Sequence, residues 1–200
     1  IKKKLLYECH ILHPSIIIRK SLIDNNQLLY DPVLQHSEDY DLFVRAFKHT
    51  KFANINRKLI KYRNTVTSET RETDSFRNEF YNQTKKDLFE MLGIKITEDE
   101  LILYKNINHQ RYDYSTNIVG ETYNLLTKMV NGNNRTLLFE TKPFQDHLAE
   151  LFENVCRNST TSALSTFRIY KKSQLRTNYI IKTKIVLILF LKMTKPIFKK

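Results

Sequence analysis

The spacing of apolar residues changes once along this chain. Up to about Thr73 they come in short runs or alternate with polar residues; beyond it they recur at helical spacing. In the first part, Ile16-Ile17-Ile18 is a β-branched apolar run and predicts a buried strand, with Pro14 at its entrance, where no ladder donor is lost. Ser21 caps a brief helix ending near Asn25-Asn26, and Tyr30-Asp31-Pro32 reads as a turn. Ser37 is a good N-cap for a helix whose buried face is Leu42, Phe43, Ala46 and Phe47. Phe52 to Asn56 alternates as a half-exposed strand does, Leu59 to Arg63 is a second such stretch, and Thr65 to Thr73 is a polar loop.

The second part predicts helices throughout. Asp74 to Leu92 carries Phe76, Phe80, Leu88 and Met91 near helical spacing, with Gly93 as its stop. Thr97-Glu98-Asp99-Glu100 is a capping box opening the next helix, through Leu101, Leu103 and Tyr104. Asn117 to Val130 is a third, ended by Asn131-Gly132-Asn133-Asn134. Pro143 sits in the first turn of a fourth, which runs to about Arg157 and buries Leu148, Leu151, Phe152 and Val155. Ser162 to Tyr170 is a shorter one. In the tail, Tyr179 to Lys200, the apolar run Ile185 to Leu191 is flanked by Lys182, Lys184, Lys192, Lys195, Lys199 and Lys200. That run is short of the ~20 residues a bilayer crossing needs. It suits either insertion at an anionic membrane interface or packing as a terminal helix.

Composition adds bounds. At 200 residues, with 41% hydrophobic and 12% aromatic residues, the chain buries a real core and is not disordered. Three glycines and four prolines disfavour an all-β, turn-rich fold. Cys9 and Cys156 stand far apart with no Cys/His cluster, which argues against a disulfide framework or zinc site and for a reducing, cytoplasmic setting. The chain starts at Ile1 without a signal-peptide pattern and reads as a piece of something longer. The net charge of +12 permits nucleic acid, an anionic membrane surface or phosphate-bearing substrates as partners. Its cations are spread along the chain with no docking motif, so no nucleic-acid partner is expected.

The chemistry-bearing stretch is Gln35 to Arg45. Glu38, Asp39 and Asp41 fall in the first turn of a helix, where free N–H groups and the dipole favour negative charge. A carboxylate so held is ionised and aimed by a rigid element, as a general base must be; the same pattern is also ordinary capping chemistry. No glycine-rich phosphate loop, nucleophile elbow or His/Cys metal spacing is present.

Three stretches in order, His13-Pro14-Ser15-Ile16-Ile17-Ile18-Arg19-Lys20-Ser21, Glu38-Asp39-Tyr40-Asp41-Leu42-Phe43-Val44-Arg45 and Leu59-Ile60-Lys61-Tyr62-Arg63 with Ser68, resemble the second half of a bacterial family 2 glycosyltransferase. Leu151 to Arg157 and Arg168-Ile169-Tyr170 are similar to the helical extension of such enzymes. The resemblance implies an α/β fold. Residues 1–72 would be the acceptor-side half of a GT-A, Rossmann-like core, and residues 73–200 an α-helical C-terminal extension. It implies inverting transfer of a sugar from a nucleotide-sugar donor to a hydroxyl of a glycan or lipid-linked acceptor, in surface polysaccharide biosynthesis. Asp39 would be the general base, Glu38, Asp41 and His13 acceptor-side or supporting groups, and Arg63 a diphosphate-side group. A divalent metal, Mg or Mn, is expected in the complete enzyme. The Asp-x-Asp ligands of the family belong to its first half, which has no equivalent in this chain (Asp39-Tyr40-Asp41 falls in the Glu-Asp segment instead); the chain would be a fragment inactive alone, and Thr65 stands where members often carry a His. The enzyme would be cytoplasmic, peripheral on the inner face of the membrane. The alternative of a different class is a non-catalytic helical module that docks on a membrane or a partner through its basic tail.

Overall fold

Helix is what this chain builds wherever its local signals and its packing agree. The structure, a computed structural model, describes residues 2–6, 8–34, 37–61, 63, 75–110, 117–158 and 163–175. Two compact units divide the chain at Met91 and Leu92.

In the first unit a 3₁₀ helix, Lys2–Leu6, is followed by a 3₁₀ turn, His13–Ser15, then α1 (Lys20–Asn26), α2 (Glu38–Ala46) and α3 (Ser75–Met91). Gln27 takes a left-handed conformation at the end of α1, φ 51°, with its N–H on the Ile23 carbonyl. The expected turn forms, the Leu34 N–H reaching the Asp31 carbonyl at 3.1 Å. α2 buries Tyr40, Leu42, Phe43, Val44 and Ala46. Leu42 and Ala46 join Leu28 in a small cluster flanked by Ile18, Leu22, Ile23 and Phe52. Tyr40 stacks on Tyr81 of α3, ring centroids 4.5 Å apart, and its hydroxyl donates to the Leu5 carbonyl. The first 3₁₀ helix, α2 and α3 are thereby tied together.

In the second unit, α4 (Glu98–Asn108), α5 (Ile118–Thr136), α6 (Thr141–Asn158) and α7 (Ala163–Lys172) pack around the α5–α6 pair. Gly93 stops α3 at φ +76°, a value only glycine adopts freely. Leu125, Leu126 and Met129 of α5 meet Phe144, Leu148, Phe152 and Val155 of α6 in the core, with Tyr104 and Ile107 of α4 and Tyr170 of α7 also buried. Burying each such Leu or Phe stabilises by roughly 1.5–3 kcal/mol. Glu153, 1% exposed, accepts a hydrogen bond from the Tyr170 hydroxyl at 3.3 Å.

Two expectations are corrected here. The first is the α/β fold: the described residues contain helices and no β-strand. Ile16 to Ile18 is not a buried strand; Ile17 is 88% exposed, and Pro14 opens a 3₁₀ turn instead. Phe52 to Asn56 and Leu59 to Ile60 run without ladder partners, and Ile55, Leu59 and Ile60 stand exposed. A strand is stable only when a neighbour takes its backbone donors and acceptors, and no neighbouring strand is present among the described residues. The second is the end of α5, which runs six residues past Val130, through Asn131-Gly132-Asn133-Asn134. The polar loop from Thr65 and the tail from Tyr179 lie outside the described residues.

Candidate functional site

The acidic turn at the start of α2 is where the sequence concentrates candidate chemistry. The helix starts at Glu38 as expected, with Ser37 at the N-cap. Ser37 makes no side-chain cap, however; its hydroxyl is buried and has no hydrogen-bond partner among the described residues. The three carboxylates take three different places.

Asp41 is buried and bound one turn on. Its Oδ2 accepts from Arg45 Nε at 2.8 Å and lies 2.6 Å from the second guanidinium nitrogen. Arg45 continues to the Leu29 carbonyl at 2.6 Å, so the pair clips α2 to the segment after α1. Asp39 is half-buried and its Oδ1 accepts from the Tyr40 N–H at 2.7 Å. Its charge acts on Tyr81, which stacks on Tyr40 where α2 meets α3. Burial there raises the Tyr81 hydroxyl above its ordinary value of 10.0, the Cys9 N–H lowers it, and the charges of Cys9, Glu8 and Asp39 raise it again. Glu38 keeps one buried oxygen, Oε2, without a hydrogen-bond partner among the described residues.

His13 reaches the same helix from the 3₁₀ turn. Its Nε2 is 2.8 Å from the Tyr30 hydroxyl, and its ring meets Phe43 edge-on at 6.4 Å. Phe43 follows Asp39 by one helical turn, so His13 and Asp39 attend the same side of α2. Arg63 is exposed and makes no ion pair or hydrogen bond with the other four candidates. The structure thus brings Glu38, Asp39, Asp41 and His13 to one helix and leaves Arg63 outside the group. Among the described residues no set of three or more His, Cys, Asp or Glu side chains is placed to hold a metal ion.

The second unit has a polar groove of about 210 Å³ that no sequence signal announced. Asn131 and Asn134 of α5, Lys142, Gln145 and Asp146 of α6, and Gln174 contribute to its lining. Lys142 and Asp146 neutralise each other at 2.8 Å.

Sequence reading also passed over a basic surface in the first unit. Lys2 donates to the Phe47 carbonyl at 2.7 Å and lies over the Phe47 ring at 4.4 Å. Burial, and then the charge of Lys51, lower its pKa, so Lys2 and Lys51 share one neighbourhood. Arg57, Lys58, Lys61 and Arg63 follow, all exposed. The missed signal is the lack of any carboxylate between Asp41 and Glu69.

Compared with models of known protein families, with curated proteins and with solved structures, the chain gives no match. Together with the lack of any strand among the described residues, this overturns the resemblance to family 2 glycosyltransferases. A GT-A core is a Rossmann-like sheet covered by helices, and helices alone do not make one. The sugar donor, glycan acceptor and divalent metal that the resemblance implied have no independent support in the residues described.

Proposed function

We propose that this protein is a helical, non-catalytic module that docks on an anionic membrane surface through its basic C-terminal end. The observation carrying the proposal is a charge asymmetry. After Glu153 the chain holds eleven lysines and arginines and no carboxylate, and within that stretch lies the apolar run Ile185 to Leu191. The cations are spread along the whole sequence; it is the carboxylates that stop. An uninterrupted positive segment around a short apolar run is attracted to anionic headgroups and inserts its aliphatic groups into the interface.

The fold supports the beginning of this segment. α7 is seated in the second unit through Tyr170, which stacks on Phe152 at 6.2 Å, while Arg168, Lys171 and Lys172 are exposed. Lys171 and Lys172 in the last turn suit the negative end of the helix dipole, so the same residues stabilise α7 and start the positive segment. Among the described residues no helix is long and apolar enough to cross a membrane, and the docking proposed is to the surface.

The test is co-sedimentation of the full chain with phosphatidylcholine vesicles, with and without phosphatidylserine. Binding is expected only with the anionic lipid and weakens as salt screens the headgroups, since the Debye length falls to about 3 Å at 1 M. Equal sedimentation with and without phosphatidylserine, or none with either, would sink the proposal.

A further inference from the structure

The first unit carries a second positive, partly aliphatic stretch, remote in sequence from the tail. From Leu42 to Ser68 there are seven lysines and arginines and no carboxylate. Beyond α2 the chain runs from Lys51 to Lys61 without helix or ladder. It bends at Asn56 and Arg57, where the Arg57 N–H reaches the Ile55 carbonyl at 2.8 Å.

One end of this arm is rooted. Phe52 packs against the Leu28, Leu42 and Ala46 cluster, and its ring lies 6.5 Å from that of Phe47. From Ala53 to Lys61 every residue is exposed. Lys51, Arg57, Lys58, Lys61 and Arg63 are exposed and form no ion pair with any described residue. Between them stand Ile55, 62% exposed, Leu59, 62%, and Ile60, 49%.

A single exposed aliphatic residue is ordinary. Three of them interleaved with five unpaired cations, and no acid among them, are not the composition of a solvated loop, which mixes both signs.

Resting on the membrane-docking reading above, we infer that residues 51–61 with Arg63 are a second contact for the anionic lipid surface, with Lys51, Arg57, Lys58, Lys61 and Arg63 at the headgroups and Ile55, Leu59 and Ile60 entering the interface. Charge complementarity selects an anionic partner, and the side chains select lipid over nucleic acid. Binding to single strands uses exposed aromatic faces for base stacking. The described aromatic of this arm, Phe52, is engaged with the core, and the apolar groups facing outward among its described residues, Ile55, Leu59 and Ile60, are aliphatic. A Lys or Arg near an anionic surface is worth about fivefold in partition.

The experiment uses the full chain in four forms: unaltered, Lys58→Gln with Lys61→Gln, Leu59→Ser with Ile60→Ser, and a tail variant with Leu187→Ser, Leu189→Ser and Leu191→Ser. Partition onto phosphatidylserine-containing vesicles is measured for each, with circular dichroism to show that helix content is unchanged. The arm substitutions fall on exposed residues outside every helix, so the fold tolerates them; should a pair lower helix content, its single members Lys58→Gln and Leu59→Ser serve instead. The charge pair is expected to lose roughly 25-fold in partition and the aliphatic pair about tenfold or more. If both arm variants partition like the unaltered chain while the tail variant is lost, the arm is no lipid contact and the tail reading stands. If the unaltered chain does not bind, both fail together. If it prefers a single-stranded oligonucleotide to the vesicles, and the arm variants abolish that preference, the arm is a nucleic-acid contact and the inference is overturned.

Discussion

At the scale of single residues, the acidic turn of α2 divides its work unevenly. Asp41 is buried and joins Arg45, which in turn holds the Leu29 carbonyl. Removing it leaves a half-buried guanidinium with one partner fewer. Asp41→Ala is therefore expected to lower stability by about 1–3 kcal/mol in a urea melt. Glu38 is the reverse case, because its buried Oε2 has no hydrogen-bond partner among the described residues. Glu38→Gln keeps the side chain's size and removes a charge that the helix dipole favours but no hydrogen bond holds at Oε2, so the same melt should change by less than about 1 kcal/mol. A larger loss for Glu38→Gln than for Asp41→Ala would mean that Glu38 holds the turn instead. The Asp41–Arg45 pair is legible in the sequence, because residues four apart on a helix are neighbours. The His13–Tyr30 contact is not, since those residues lie seventeen apart and only the path of the chain brings them together.

At the scale of elements, caps that close within one turn were readable and caps that reach into the tertiary structure were not. Thr97 and Glu100 make both bonds of the capping box, Glu100 N–H to Thr97 Oγ1 at 3.2 Å and Thr97 N–H to Glu100 Oε2 at 2.9 Å. Glu100 also binds Lys128 of α5 at 2.8 Å. Burial acts to raise the Glu100 carboxyl, but Lys128 and Thr97 together hold it below its usual value of 4.5. Its folded pKa is depressed, so the unfolded chain binds the proton more readily. The stabilisation is present above the unfolded value and is lost as pH falls through the folded one. Comparing Glu100→Gln with the unaltered chain by thermal melts, the gap in Tm should be widest near neutral pH and close as the pH falls through the depressed folded pKa.

The end of α5 shows the opposite situation. Asn131-Gly132-Asn133-Asn134 has the composition of a helix stop, yet the helix continues to Thr136. Asn133 is buried and clasps the following loop, its Oδ1 accepting from the Phe139 N–H at 2.8 Å and its Nδ2 donating to the Phe139 carbonyl at 3.1 Å. Gly132 lets the helix pass Leu92, whose carbonyl oxygen would be 2.5 Å from a Cβ there. The stop falls at Leu137, which takes the left-handed conformation at φ 52°. Asn133→Ala would strand both Phe139 groups and is expected to cost about 2–4 kcal/mol. Asn134→Ala, on an exposed position, should stay within about 0.5 kcal/mol. Gly132→Ala should destabilise despite alanine's better helix propensity, because the Leu92 carbonyl has to move. Equal midpoints for Asn133→Ala and Asn134→Ala in chemical denaturation would refute this account of the helix end.

At the scale of the whole molecule, two properties follow from summed charge and from how strands form. The carboxylates end at Glu153 and are missing between Asp41 and Glu69, so the charge of +12 is gathered into positive segments although its cations are scattered. Counting only the cations hides this; counting where the acids stop reveals it. The second property is the absence of strands among the described residues. Far-ultraviolet circular dichroism should show a helical spectrum, and the amide I band should lack the component of an ordered sheet. A clear sheet component would restore an α/β reading.

What the sequence determined by itself is everything settled within a few residues. It determined roughly where α1 to α7 lie, the end of α5 excepted, because apolar spacing and caps act along one turn, and it determined the sign of the charge. The Gly93 stop, the Thr97 capping box and the start of α2 at Glu38 are of this kind. Tertiary structure alone decided whether Ile16 to Ile18 and Leu59 to Ile60 become strands, where α5 ends, and which carboxylate of the acidic turn is clamped. The physical reason is common to all three. A strand's hydrogen bonds, Asn133's loop and the Leu29 carbonyl on Arg45 each require a partner from elsewhere in the chain, and local pattern carries no record of that partner's presence.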